Sequence, residues 1–355
     1  MFQYSLIPIS EALFMRKIWL SMFSAGLALV GCASGTALLN NHSLQPILRA
    51  QNQGAAPVRA EQALDKARMQ ALASVLTGQK PMPDGTLIPE RGTTQGRDLT
   101  RKFILSVLEG YGYKPELHAY RSSGKNILVR LMADQPSDEY VLIGAHMDSV
   151  RNAGADDNNS GSVAVLEAAR VLKDLPGRKV NLIFAWFDEE ELGLVGSHYL
   201  ARDFKKQGLK LSSVHTLDMV GWDSDQDRVI EIEQPDGPLW DYYQMVNKAH
   251  QLNLPLSRTS SGDTDHVAFR QEGFTSVGLC EEWVGGDTTP YYHRKTDVYT
   301  SVNFDYLFKV SQLAVAVVSD LVRAVPAPLV QTRVPHDRFP GRARPFHASY
   351  DEFQP

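Results

Sequence analysis

Residues 179–187 read KVNLIFAWF, an apolar run that stops abruptly at Asp188, Glu189, Glu190 and Glu191. A continuous run of this kind, without polar alternation, suits a strand covered on both faces. Around it, residues 126–132 (NILVRLM), 140–145 (YVLIGA), 213–218 (SVHTLD), 227–233 and 274–279 (FTSVGL) also read as strands. Residues 160–174, 191–206, 238–251 and 303–324 read as helices between and after them. Upstream, helical spacing over 59–77 and 98–109 flanks a loop at 80–92 with three prolines and two glycines. Strands alternating with helices predict an α/β fold of three layers, α/β/α. The central sheet is expected to be mixed and mostly parallel, with helices on both faces.

The four consecutive acids need a reason, because like charges repel. Carboxylates in the first turn of a helix are favoured by its dipole, which is the plain structural explanation. The chain carries a formal net charge of −5, so it has no basic footprint for nucleic acid. At 355 residues it can bury a large core without disulfides.

Of its two cysteines, Cys32 closes a leader. Met15-Arg16-Lys17 is basic, and Ile18 to Val30 is apolar but short for a membrane span. Leu29-Val30-Gly31-Cys32 follows, then Ala33-Ser34. This resembles a bacterial lipoprotein signal over residues 1–32, with Cys32 as the acylated residue. Met15 is an alternative start to Met1. The resemblance implies a lipid anchor in the bacterial cell envelope, at the outer membrane facing the periplasm in a Gram-negative cell. Cys280 is then left without an intrachain partner. Residues 33–58 read as a flexible tether, 59–324 as the folded domain, and 325–355 as a Pro- and Arg-rich extended or disordered tail.

In sheets of this class, sites form beyond the carboxyl ends of the strands. His146 and Asp148 fall there after YVLIGA, and GADDNNSG (154–161) follows with Asp157. The acidic run falls after NLIFAWF, and Asp218 after SVHTL. His293 and Asp297 lie in PYYHRKTD. Nitrogen and carboxylate donors without cysteine suit zinc, with manganese or cobalt as substitutes. Many acids in one cleft need cations among them to remain ionised, and two divalent ions supply that. Each residue alone also has an ordinary explanation as a turn, a cap or a surface polar group.

The succession RGTTQG, KNILVRL, GAHMDS, GADDNNSG, FDEEELGLVGS, LDMVG, TDHVAF and YYHRKTD resembles the M28 family of zinc metallopeptidases, of the bacterial leucyl-aminopeptidase type. The resemblance implies a zinc-exopeptidase-like fold and two zinc ions. His146, Asp157 and Asp218 would hold one ion; Glu191, His293 and a shared Asp157 would hold the other. It implies that Asp148 orients His146, and that a cis peptide follows Asp157. Aligning on Gly193, Leu194, Gly196 and Ser197 makes Glu190 the general base for a water held between the ions. Asp188 and Glu189 are then surplus, read as solvated or dipole-favoured acids. Tyr292 resembles an oxyanion donor. Asp265 and His266 match a motif near the site without being ligands. The implied substrates are peptides with a free N-terminus. Two alternatives stand beside this one: a glutaminyl cyclase of the same fold, with a single zinc, and a non-catalytic binding protein on a peptidase fold. Trp283, Tyr291 and Phe269 suit a substrate pocket or the core equally.

Overall fold

The computed structural model describes residues 59–324. The leader with Cys32, the stretch 33–58 and the tail 325–355 lie outside the described residues. One sheet contains β1 (Glu116–Ala119), β2 (Lys125–Leu131), β3 (Glu139–His146), β4 (Asn181–Phe187), β5 (Lys210–Leu217), β6 (Ile230–Glu233), β7 (Leu256–Thr259) and β8 (Ser276–Cys280). Their order across the sheet is β1-β2-β4-β3-β5-β8-β6-β7. The central β4, β3, β5 and β8 are parallel. β2 and β6 flank them antiparallel. The sheet is therefore mixed and mostly parallel, as expected.

The helices are α1 (Lys66–Leu76), α2 (Thr94–Gly110), α3 (Asn159–Leu172), α4 (Val195–Lys206), α5 (Gly237–Ala249), α6 (His266–Gln271) and α7 (Phe304–Arg323). β4 shows why they take both faces of the sheet. All seven of its residues are buried. Leu182, Phe184 and Trp186 join one core, shared with α3 and α7. Ile183, Ala185 and Phe187 join a second, with Leu200, Ala201 and Phe204 of α4. Each fully buried large apolar side chain contributes roughly 1.5–3 kcal/mol relative to exposure. A strand apolar on both sides is stable only between two helical layers.

Three elements escape the periodicity reading. β1 and β7 are four residues long, with no buried residue in either, at the two edges of the sheet. α6 has only six residues. The helix expected over 191–206 also starts late, at Val195. Glu189, Gly193 and Leu194 all take left-handed backbone, with φ of 60, 97 and 57°. Only a 3₁₀ turn, Glu190–Leu192, fits between them. Phe269 belongs to the second core, with its ring centroid 5.8 Å from Phe187 and 6.3 Å from Phe274, so it is not a pocket residue. Cys280 is a buried free thiol. Among the described residues no helix is long and apolar enough to cross a membrane.

Candidate metal centre

The parallel strands bring their polar residues to one rim. His146 ends β3, Asp188 follows β4, and Asp218 follows β5. The loop from β3 to α3 carries Asp157, and the Asp157–Asn158 peptide bond is cis. Asn158 caps α3 by accepting from the Gly161 N–H at 2.9 Å, and donates to the Leu217 carbonyl at 2.8 Å. This fastens the Asp157 loop to the end of β5.

Asp157 lies between two histidines. Its Oδ1 is 3.3 Å from His146 Nε2, and its Oδ2 is 3.3 Å from His293 Nε2. Asp218 Oδ1 is 3.2 Å from His146 Nε2, and Glu191 Oε2 is 2.9 Å from His293 Nε2. The five residues read from the sequence as ligands thus converge as two three-residue groups sharing Asp157. The donors of each group lie within 4.8 Å of one another, close enough for a single cation. Glu190 belongs to neither group; its Oε2 is 3.8 Å from His146 Nε2.

Asp148 holds the two sides together. Its Oδ1 is 3.4 Å from His146 Nδ1. The same carboxylate accepts from the backbone N–H of Glu190 at 3.1 Å and of Glu191 at 3.2 Å. One side chain therefore sets an imidazole and the neighbouring acidic turn.

Two further residues brace the site, and the sequence reading gave neither a role. Arg91, in RGTTQG, is buried and donates to the carbonyls of Met147, Ala153 and Gly154. It joins the end of β3 to the Asp157 loop and places a cation beneath the acids. Asp297 accepts from the backbone N–H groups of Asp156 and Asp157 at 2.8 and 3.2 Å. The sequence places Arg91 in RGTTQG and Asp297 in PYYHRKTD, but the contacts that give them these roles join distant parts of the chain.

The expectation that Asp188 and Glu189 are solvated is wrong. They are 0% and 2% exposed. Asp188 Oδ1 lies 2.9 Å from Arg97 Nε, and its Oδ2 lies 2.7 Å from Arg101 Nη2. Glu189 accepts from Arg97 Nη2 at 2.8 Å, Arg121 Nε at 2.5 Å and the Tyr120 hydroxyl at 3.1 Å. Arginines 68 to 92 positions upstream make this burial tolerable, and no local pattern announces a pairing so distant. Gly196 also gains a reason: a Cβ there would collide with the Asp188 carbonyl and the Asn126 side chain.

The Tyr292 ring stacks on His293, with centroids 3.8 Å apart, and meets Trp283 edge-on at 5.0 Å. Tyr291 packs edge-on against Trp222 at 5.5 Å. Asp265 is buried, one of its oxygens has no partner, and its charge is felt at Glu190.

The electrostatics show what the cluster needs. Burial opposes charge on His146, yet Asp218 and Glu190 hold its pKa well above the usual imidazole range. Burial opposes His293 too, but Asp157 and Glu191 raise it to about 10. Burial pushes Glu190 well above its ordinary value and Glu191 up to about 7. The acids thus favour positive charge at both imidazoles. A donor set of two imidazoles and three carboxylates, with one carboxylate shared, fits two zinc-like ions.

The model of peptidase family M28 matches residues 126–318. The chain belongs to that family. Leucine aminopeptidase 1 of Arthroderma otae is 31% identical over 208 residues, which cover 53% of this M28 chain and 56% of that protein. The chain thus spans just over half the length of this curated relative. BSAP, a zinc aminopeptidase from Bacillus subtilis, is 28% identical with a TM-score of 0.52, covering 56% of this chain and 50% of that one. Legionella pneumophila LapA aminopeptidase shares the fold at a TM-score of 0.67 and 22% identity, covering 79% and 80% of the two chains.

Proposed function

We propose that the protein is a zinc-dependent aminopeptidase that removes N-terminal residues from peptides. One observation carries the reading: the two oxygens of Asp157 face two different histidines, each with its own second carboxylate. In this reading His146, Asp157 and Asp218 hold one ion, and Asp157, Glu191 and His293 hold the other. Manganese or cobalt suits the same donors. Bound ions would polarise the scissile carbonyl and acidify water.

The chain's own groups do the rest. Glu190 lies beside both groups without joining either, so its carboxylate is free to take a proton from the attacking water. It returns that proton to the leaving amine. Asp148 sets the imidazole of His146 and the backbone of Glu190 together. Burial raises the Tyr292 pKa, so its phenol stays protonated and can donate to a developing oxyanion. The excess of carboxylates favours a substrate with a free, positively charged α-amine.

The glutaminyl cyclase alternative requires one zinc and leaves the second donor group without a purpose. The non-catalytic alternative leaves Glu190 without one. For the same protein we propose a lipid anchor at Cys32 and a place in the bacterial envelope. The sequence of residues 15–34 supports this; Cys32→Ala should release the protein from membranes and abolish labelling by radioactive palmitate.

The decisive test is Glu190→Gln. Zinc content should stay at the wild-type level while kcat on aminoacyl-arylamides falls about 10²–10⁴-fold. Chelation should silence the wild type, and zinc should restore it. Full turnover by Glu190→Gln would remove the assignment.

A further inference from the structure

The two surplus acids carry an inference of their own, which rests on Glu190 as the base. The turn from Asp188 to Glu191 is held at both ends. At one end, Asp148 takes the backbone N–H groups of Glu190 and Glu191. At the other, Arg97 joins both preceding side chains, with Nε at Asp188 and Nη2 at Glu189. Arg97 is fixed in turn, donating from Nη1 to the Gly92 carbonyl at 2.8 Å. Arg101 and the Lys125 N–H hold the second oxygen of Asp188. Arg121 and Tyr120 hold the second oxygen of Glu189, and the Tyr120 hydroxyl also reaches the Asp188 carbonyl at 2.9 Å.

Glu189 is the hinge of this arrangement. Its φ of 60° and ψ of 35° lie in the left-handed region, where a residue with a long side chain is uncommon. A free chain would relax out of that conformation and swing the next residue with it. Glu189 stays because Arg97, Arg121, Tyr120 and Ser123 all donate to its carboxylate. We propose that Glu189, with Arg97 and Arg121, is a positioning element that sets the direction in which the Glu190 carboxylate points. It acts through Glu190 and touches neither substrate nor metal donors.

The test compares Glu189→Gly, Arg121→Gln and Glu190→Gln with the wild type, reading bound zinc per chain, kcat and KM. Glycine accepts the left-handed backbone but removes the gripped carboxylate. Arg121 is partly exposed, so its replacement is well tolerated by folding. Misplacing a catalytic group by about 1 Å can cost on the order of 10²-fold in rate. Glu189→Gly is therefore expected to lose kcat by about 10–100-fold, with KM within about threefold and zinc unchanged. Arg121→Gln should lose less, in the same pattern. Wild-type kcat in both variants beside an inactive Glu190→Gln overturns the positioning role alone. Zinc lost in step with kcat overturns it too, in favour of a structural role. Full activity of Glu190→Gln overturns the base assignment and this inference with it. Should Glu189→Gly fail to fold, Arg121→Gln decides.

Discussion

Two acid-rich regions of the molecule look alike in sequence and differ in burial and in the nitrogen donors around them. One is the rim with Asp157, Glu190, Glu191 and Asp218. The other gathers Asp223, Asp225, Asp227, Glu282 and Asp287, and its oxygens are also close enough together to hold a cation. The second group contains no histidine, and Asp225 and Asp227 are exposed. Its repulsion is dispersed by water and by local donors: Asp287 alone accepts from Trp222 Nε1 and from the N–H groups of Ser224 and Asp225. At the rim water is largely excluded, so imidazoles, Arg91 and buried arginines from α2 stand among the acids. Acid density therefore does not mark a site. Acids following a fully buried strand, with nitrogen donors opposite, do.

That contrast can be broken by experiment. The largest effect is expected at Asp157, the residue common to both donor groups. Asp157→Asn should lose bound zinc, and turnover should fall roughly 10³-fold or more, since several kcal/mol of charge stabilisation go at about 1.36 kcal/mol per decade. Metal analysis beside a kinetic assay checks it. Next comes Asp148→Asn, which leaves the donors in place but loosens their support. Zinc affinity or activity should drop about 10–100-fold, measured by competition with a chelator.

A smaller effect tests the rule that a buried acid requires a cation, away from the rim. His250 lies between Glu61 and Asp320, at 2.9 and 3.0 Å. Burial opposes its charge, but the two carboxylates raise its pKa to about 9 from the ordinary 6.5. The folded state thus favours the protonated form. The stabilisation is complete below about pH 6.5 and fades as pH rises through about 9. His250→Ala should cost on the order of 1 kcal/mol at pH 6, discounted for partial exposure, and much less at pH 10; denaturation across pH reads both. The smallest effect belongs to the surface acids. Asp225→Asn should leave zinc content and kcat unchanged and alter stability by no more than about 0.5 kcal/mol. A clear loss of zinc there would undo the comparison.

Much of this is legible in the sequence. The unbroken run of β4 announces a two-sided sheet, and His146, Asp157, Glu191 and Asp218 lie at or within a few residues of the ends of elements that periodicity locates, whereas His293 lies in the loop between β8 and α7. What stayed hidden depends on distance along the chain. The pairs Arg97–Glu189 and Arg101–Asp188 join residues 92 and 87 positions apart. The embrace of Asp157 by Asp297 spans 140. β1 and β7 are not legible because short edge strands with no buried face carry no clear alternation of apolar and polar residues. The late start of α4 was missed because left-handed backbone at Glu189 and Leu194 is imposed by tertiary contacts and not by residue type.

The alternation of β4 also bears on how this protein can change over evolutionary time. Its side chains point by turns to one helical layer and then to the other, so adding or deleting a single residue would exchange the two sets wholesale. Trp186 would be thrust into the space shaped for Phe187, and the acids after it would rotate away from their histidines. Substitutions in this strand can be absorbed by repacking, whereas a change of length would cost the core and the rim together.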